Sequence, residues 1–426
     1  MSRRSGREGL IAVPDLPAAD GVRRNEILET AASLFGSSGF RITLKEIADA
    51  CGILPGSLYH HFESKEAIIV ELVKRYQAEL DAIAEKALVD LGPSKPIFDR
   101  IVSFAGAILE CAGRHRAALL QTFYDPPASA SDELVRLAKR TPATIDNAML
   151  KILRAGRASG YIRGTIDLAR LAEQICQSML QTGLDPSCSN AHQLAAIKCR
   201  MLFEGLAIQP AHDAKLDRSS AFAAAEKAIA GWSRNGDEDG LEGQLRAVAR
   251  TEFGRRGYEA TTIRDIAAAA RMSTGTVYRL VGSKDELLTS IMATYMEHVT
   301  ASWDAVFASQ ANPVEKLDAL MWVNINVFDR FIDEFKIQLA WMRESPPATS
   351  KLGRSLAFSK QVRQLRTLLA EGERSNHFRS MGASINVRSD CLFELLWVSE
   401  NIVRSAGPRT AQELGRDTVL RGAAER

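Results

Sequence analysis

Residues 27–66 read ILETAASLFGSSGFRITLKEIADACGILPGSLYHHFESKE, and residues 245–285 read LRAVARTEFGRRGYEATTIRDIAAAARMSTGTVYRLVGSKD. Phe35-Gly36-x-x-Gly39-Phe40 lines up with Phe253-Gly254-x-x-Gly257-Tyr258 at an offset of 218. Thr43, Glu46-Ile47-Ala48, Gly56, Tyr59 and Ser64-Lys65 line up with Thr262, Asp265-Ile266-Ala267, Gly275, Tyr278 and Ser283-Lys284 at 219, so one residue was gained or lost in between. Small, apolar and turn residues keep their order throughout. The period is too long for a solenoid and marks two copies of a whole domain.

Each copy reads as three short helices. The first ends at Gly36-Ser37-Ser38-Gly39 or Gly254-Arg255-Arg256-Gly257, where glycine allows the left-handed closing residue. Thr43 and Thr262 cap the second helix, with Glu46 and Asp265 placed to complete a capping box. After a three- or four-residue turn, a very short helix starts near Pro55 and Thr274. This is helix-turn-helix spacing, in which the N-terminal residues of the last helix meet base edges in the major groove. Pro55, Gly56 and Ser57 hold that end in copy one, and Thr274, Gly275 and Thr276 in copy two. The glycines let the backbone approach DNA, and the hydroxyls can bond bases or phosphates. Leu58 and Phe62 anchor the first short helix inward, as Val277 and Val281 do the second, which leaves Tyr59 with His60 and Tyr278 with Arg279 for the DNA. Lys65 and Lys284 open the next helix, a place suited to a phosphate. Lys45 and Arg264, beside Thr43 and Thr262, complete the expected DNA-binding set.

Both segments resemble the DNA-binding domain of the TetR family of bacterial transcriptional regulators. The resemblance rests on Phe-x-x-x-Gly-[Phe/Tyr]-x-x-Thr, an Ile-Ala pair, Gly-[Ser/Thr]-[Leu/Val]-Tyr, then Ser-Lys-[Glu/Asp]. It implies an all-α fold of two tandem units, each a helix-turn-helix head on a helical ligand and dimerisation body. It further implies bodies that pack through a four-helix interface and enclose small-molecule cavities. The chain departs from the family in carrying two units, since its members are usually single-copy homodimers. Copy one is also a residue short before Thr43, Arg271 replaces the turn glycine that Gly52 supplies in copy one, and Val281 stands where an aromatic is common.

The 426 residues suit two or three domains. A 46% hydrophobic and 25% charged composition, with a net charge of +2, fits a folded chain. Charge is local: residues 27–65 hold three basic and four acidic side chains, residues 245–284 eight and three. Arg3, Arg4, Arg7, Arg23 and Arg24 can supplement copy one on a polyanion. Six scattered cysteines without a CxxC pair read as free thiols of a reducing compartment. Neither an apolar run of membrane-span length nor a signal segment is visible, so the expected location is cytoplasmic, with no membrane partner.

Helical periodicity dominates the rest of the chain. The expected organisation is a mobile basic arm at 1–20, head one at 21–66 and body one at 67–212. A linker helix and acidic Gly-rich linker follow at 213–240, then head two at 241–286, body two at 287–407 and a C-terminal tail at 408–426. Candidate ligand contacts are Gln121, Phe123 and Tyr124 in body one and Trp322, Asn326 and Trp341 in body two. Ordinary helix core competes with that reading, and Asn324 and Asn326 lie too far around a helix to face one cavity together. His60-His61 lacks a third ligand at suitable spacing, so no metal or cofactor is expected. No hydrolase, zincin or nucleotide-loop motif is present, so the chain does not read as an enzyme.

The function expected is a sequence-specific regulator of double-stranded operator DNA. The resemblance implies a repressor released by a small-molecule effector of unknown identity. The two bodies could pair within one chain as a pseudo-dimer, with recognition helices about 34–36 Å apart, or two chains could form a homodimer. The alternatives are a constitutive architectural DNA binder and a helical interaction protein with inactive heads.

Overall fold

The computed structural model describes residues 16–40, 42–89, 95–127, 129–185, 190–209, 211–232, 240–343 and 358–425. Regular structure among them is helical, apart from two isolated bridges that join Ile162 to Ala424 and Ala207 to Phe378. The first half runs α1 (Leu16–Ser38), α2 (Leu44–Ala50), α3 (Pro55–His61), α4 (Lys65–Val89), α5 (Ile97–Arg114), α6 (Arg116–Gln121), α7 (Asp132–Ala138), α8 (Ala143–Ala158), α9 (Leu168–Thr182) and α10 (Ala191–Glu204). Then come α11 (Asp213–Asp217) and α12 (Ser220–Ala230). The second half runs α13 (Gly240–Arg256), α14 (Ile263–Ala269), α15 (Thr274–Val281), α16 (Lys284–Ala308), α17 (Pro313–Arg330), α18 (Ile332–Arg343), α19 (Ser359–Arg374), α20 (Ile385–Leu395), α21 (Glu400–Ala406) and α22 (Pro408–Gly415), and closes in a π-helical turn at Arg416–Leu420.

The duplication extends past the heads. α4 and α16 each hold 25 residues, and α5 and α17 each hold 18. Each pair occupies the same place in its half. α5 is the axis of body one, packed by α4, α8, α9 and α10 through buried Ile101, Ala105 and Ile108. α17 is the axis of body two, packed by α12, α16 and α22 through buried Leu317, Leu320 and Val323. Rings fill much of body two: Phe335 stacks on Trp397 at 4.4 Å, and Phe328 meets Phe335 edge-on at 4.8 Å.

The expected linker helix is part of this core. Along α12, Phe222 lies 5.7 Å from the Trp322 ring, and just past its end the Trp232 indole N–H donates to Ser302 at 2.9 Å. Of the expected arm, residues 16–20 open α1 and the rest lie outside the described residues, as do the acidic stretch 233–239 and Cys188.

The two bodies meet within the chain. α9 and α10 pack against α20, and α10 also packs against the π-turn. Fully buried Lys198 on α10 donates to Ser178 at 3.1 Å and bonds Thr182 and Glu394. The 408–426 stretch differs from the expected tail, because it closes this interface. Leu206 donates its backbone N–H to Val419 at 2.8 Å, Ala207 to Leu420 at 3.0 Å, and Ala423 to Leu202 at 2.9 Å. Gly205 and Gly422 adopt φ of 67° and 84°, and their backbones cross so closely that a Cβ on either would overlap the other strand. A buried charge anchors the segment. Arg416 is fully buried, with Nε and Nη2 each 2.8 Å from the Asp318 carboxylate and Nη2 2.7 Å from Asp217. Such a cation is tolerated inside only when paired and hydrogen-bonded, which ties the last turn to α17 and α11.

Candidate nucleic-acid interface

Both heads are built by the same local chemistry. The Glu46 amide donates to the Thr43 hydroxyl oxygen at 3.2 Å, and Glu46 accepts the Thr43 backbone N–H at 2.7 Å. Asp265 and Thr262 repeat the exchange at 3.2 and 2.8 Å. The Thr262 hydroxyl and amide hold the Asp265 carboxyl below its usual range. The next turn needs a left-handed residue. Gly52 supplies it at φ 65°, and Arg271 takes the same conformation at φ 55°. Ile47 and Leu58 are fully buried in head one, as are Ile266 and Val277 in head two. These contacts fix which faces of α3 and α15 point outward.

The outward faces carry most of the residues expected to meet DNA. Lys45, Gly56, Ser57, Tyr59 and His60 are exposed around α3, with Pro55 half-buried. Arg264, Thr274, Gly275, Tyr278 and Arg279 are exposed around α15, with Thr276 half-buried. Thr43 and Thr262 are exposed, with their hydroxyls engaged in the caps at 2.7 and 2.6 Å. The leading cations of α4 and α16 are turned inward instead. Lys65 is half-buried and donates to the Phe40 carbonyl at 2.8 Å, and burial lowers its pKa. Lys284 lies 4.0 Å over the Tyr258 ring. Arg24 donates to the His61 carbonyl at 2.6 Å, and Arg23 pairs with Glu26 at 2.6 Å. Arg3, Arg4 and Arg7 lie outside the described residues.

Leu54 was absent from the expected set. It is the N-cap of α3 and is 76% exposed. The Leu-Pro step was the available signal, because proline holds the preceding residue in extended backbone.

Body one contains a half-open cavity of about 100 Å³, whose lining includes apolar Leu80, Leu119, Leu180 and Phe123 together with polar Gln77, Arg140 and Thr144. Arg140 bonds both oxygens of Asp81 at 2.8 and 2.7 Å. Of the expected ligand contacts, Phe123 is in this lining. Gln121 is buried in α6 but is not in the lining, and the Tyr124 ring packs against Gly257 of head two. Beside Tyr124, the Asp125 N–H donates to the Arg255 carbonyl at 2.9 Å, and the Arg255 guanidinium pairs with the Asp125 carboxylate at 3.2 Å. Head one is held from the same region, since Arg116 on α6 donates to the Gly36 carbonyl. In body two, Trp322 bonds Glu226 on α12, and Asn326 donates to the Trp322 carbonyl at 2.9 Å. The side chain of Trp341 lies outside the described residues.

Glu79, Cys111 and His115 bring three ligand-type atoms within 4.8 Å of one another. Glu79 is already engaged by His115 Nε2 at 2.7 Å and by Arg114. Burial pushes the Cys111 thiol up to about 12.

Two helix-turn-helix heads on paired helical bodies define a DNA-binding regulator, and the family match and the curated relatives agree. Residues 27–72 and 245–291 both match the family described as bacterial regulatory proteins, tetR family. The chain is 31% identical over 160 residues to the HTH-type transcriptional repressor KstR2 of Mycolicibacterium smegmatis, covering 36% of this chain and 75% of that one. It is 44% identical over 55 residues to the HTH-type transcriptional regulator UidR of Escherichia coli K12, covering 13% and 28%. Against the solved structure of the ketosteroid transcriptional regulator KstR2 of Mycobacterium tuberculosis, identity is 25%, coverage is 43% and 92%, and the TM-score is 0.38. The chain belongs to the TetR family of bacterial transcriptional regulators. Among the described residues, no helix is long and apolar enough to cross a membrane.

Proposed function

We propose that the chain is a sequence-specific repressor that grips one operator with both heads and lets go when a small molecule occupies body one. The two bodies act as an internal pseudo-dimer, and body one is the sensor. One observation carries this reading: the cavity wall is continuous with contacts to both heads. Leu119 of α6 and Phe123 line the cavity, Arg116 of α6 bonds head one, and Tyr124 with Asp125 grips head two. A ligand that forces this wall outward disturbs both heads, and it lowers DNA affinity by its preference for the displaced state. Couplings of this kind run to about 1–3 kcal/mol, or about 5- to 150-fold. The lining, which mixes Leu80, Leu119 and Leu180 with Gln77 and Thr144, suits a small amphipathic molecule. The KstR2 relatives are named repressors, which supports the sign of regulation.

The test uses the full chain. Duplexes enriched from a random pool should bind at one chain per duplex. Small amphipathic molecules that raise its melting temperature should then weaken that binding. Asp125→Ala should retain DNA affinity but lose about half or more of the ligand effect on the head-two half-site. Failure to enrich any duplex, or stabilising ligands that leave DNA affinity unchanged, would overturn the reading.

A further inference from the structure

We propose that Leu54 determines sequence preference in head one by seating its side chain on the C5 methyl of a thymine in the major groove, a contact head two lacks. The proposal rests on the reading of the heads as DNA-binding.

Leu54 is held where a groove-reading side chain must be. Its backbone is extended, at φ −69° and ψ 144°, and Pro55 restricts it to that region. Its carbonyl accepts the Ser57 N–H at 2.9 Å, which locks the residue onto the first turn of α3. The side chain makes no cap and stands 76% exposed, on the same helix end as exposed Gly56, Ser57 and Tyr59. Single exposed leucines are ordinary on a protein surface. This one is continuous with the recognition face, and it carries no charge or hydrogen-bonding group for a phosphate. Among the groups that base pairs present in the major groove, the thymine methyl is the apolar one.

The second copy is polar at this place. Ser273 is the N-cap of α15, where its hydroxyl accepts the Thr276 N–H at 3.1 Å and meets the Thr276 hydroxyl at 2.9 Å. The neighbouring positions diverge as well, with His60 in head one and Arg279 in head two. The two half-sites therefore differ in kind: one is read by apolar contact at a pyrimidine methyl, the other by hydroxyls and a guanidinium.

Uracil replaces thymine with the methyl removed and base pairing kept, so the test can be made on the DNA. The full chain first selects duplexes from a random pool, and each thymine of the enriched site is then changed singly to uracil. One or two such changes, confined to one half-site, should weaken wild-type binding about fourfold each, the size expected for one buried methyl. Leu54→Ser and Leu54→Ala should bind the thymine and uracil duplexes alike at those positions, while Gly164→Ala, a body-one position facing open space, keeps the wild-type profile. A thymine profile unchanged by both Leu54 variants, or no methyl dependence anywhere, would overturn the assignment and leave DNA binding standing. Failure to enrich any duplex would instead sink the DNA-binding reading, and this proposal with it.

Discussion

Asp146 on α8 keeps its Oδ1 buried with no hydrogen-bond partner among the described residues. Burial pushes this carboxyl up to about 6, against a bond to the Cys176 thiol that pulls the other way. The folded chain therefore holds a proton there that the unfolded chain, with a value near 3.8, has released. Stability falls as pH rises from about 4 to about 6 and then levels off. Asp146→Asn should remove that slope and stabilise the protein at pH 7 by about 1–2 kcal/mol, read from urea unfolding at pH 4.5 and 7. Single residues were also where sequence reading was least complete. Leu54 was absent from the expected set because its exposure depends on which face of α3 is buried, and that is a tertiary fact. Lys65 read as a phosphate contact because its position opens a helix, yet its ammonium reaches the Phe40 carbonyl, 25 positions back along the chain.

The turn between α14 and α15 shows what a helix-turn-helix demands as an element. Its left-handed residue is Arg271, at φ 55°, where head one has Gly52. An L-residue with a side chain pays about 1–2 kcal/mol for that conformation, and glycine returns part of the gain as extra unfolded-state freedom. Arg271→Gly should therefore stabilise head two by up to about 1 kcal/mol, seen as slower hydrogen exchange in α14 and α15. Slower exchange in α2 and α3 instead would contradict it. The heads were legible from sequence because their devices are local: capping boxes, helix-ending glycines and the four-residue spacing of Leu58 and Phe62. The bodies were harder to read. Trp322 appeared free to line a cavity, but Glu226 and Phe222 cover it from a helix about a hundred residues earlier.

At the scale of the whole molecule, the two halves are sewn together at the crossing of Gly205 and Gly422. Gly422→Ala should destabilise the chain by about 2–4 kcal/mol, because a methyl there meets backbone that cannot yield and φ is positive. Gly164→Ala, which faces open space, should stay within about 0.5 kcal/mol in the same denaturant titration. The C-terminal stretch looked like a tail because the partners of Arg416, Asp318 and Asp217, are 98 and 199 positions away. No local pattern records such a bond.

That crossing also bears on dosage. Regulators assembled from separate identical subunits fall apart on dilution, so occupancy of their target drops with the square of copy number. If one chain fills one operator, as proposed above, a polypeptide whose halves are already clasped has no such threshold and is not poisoned by mixing with a defective sibling. A few molecules per cell would act in simple proportion, and each half is left to diverge in what it reads.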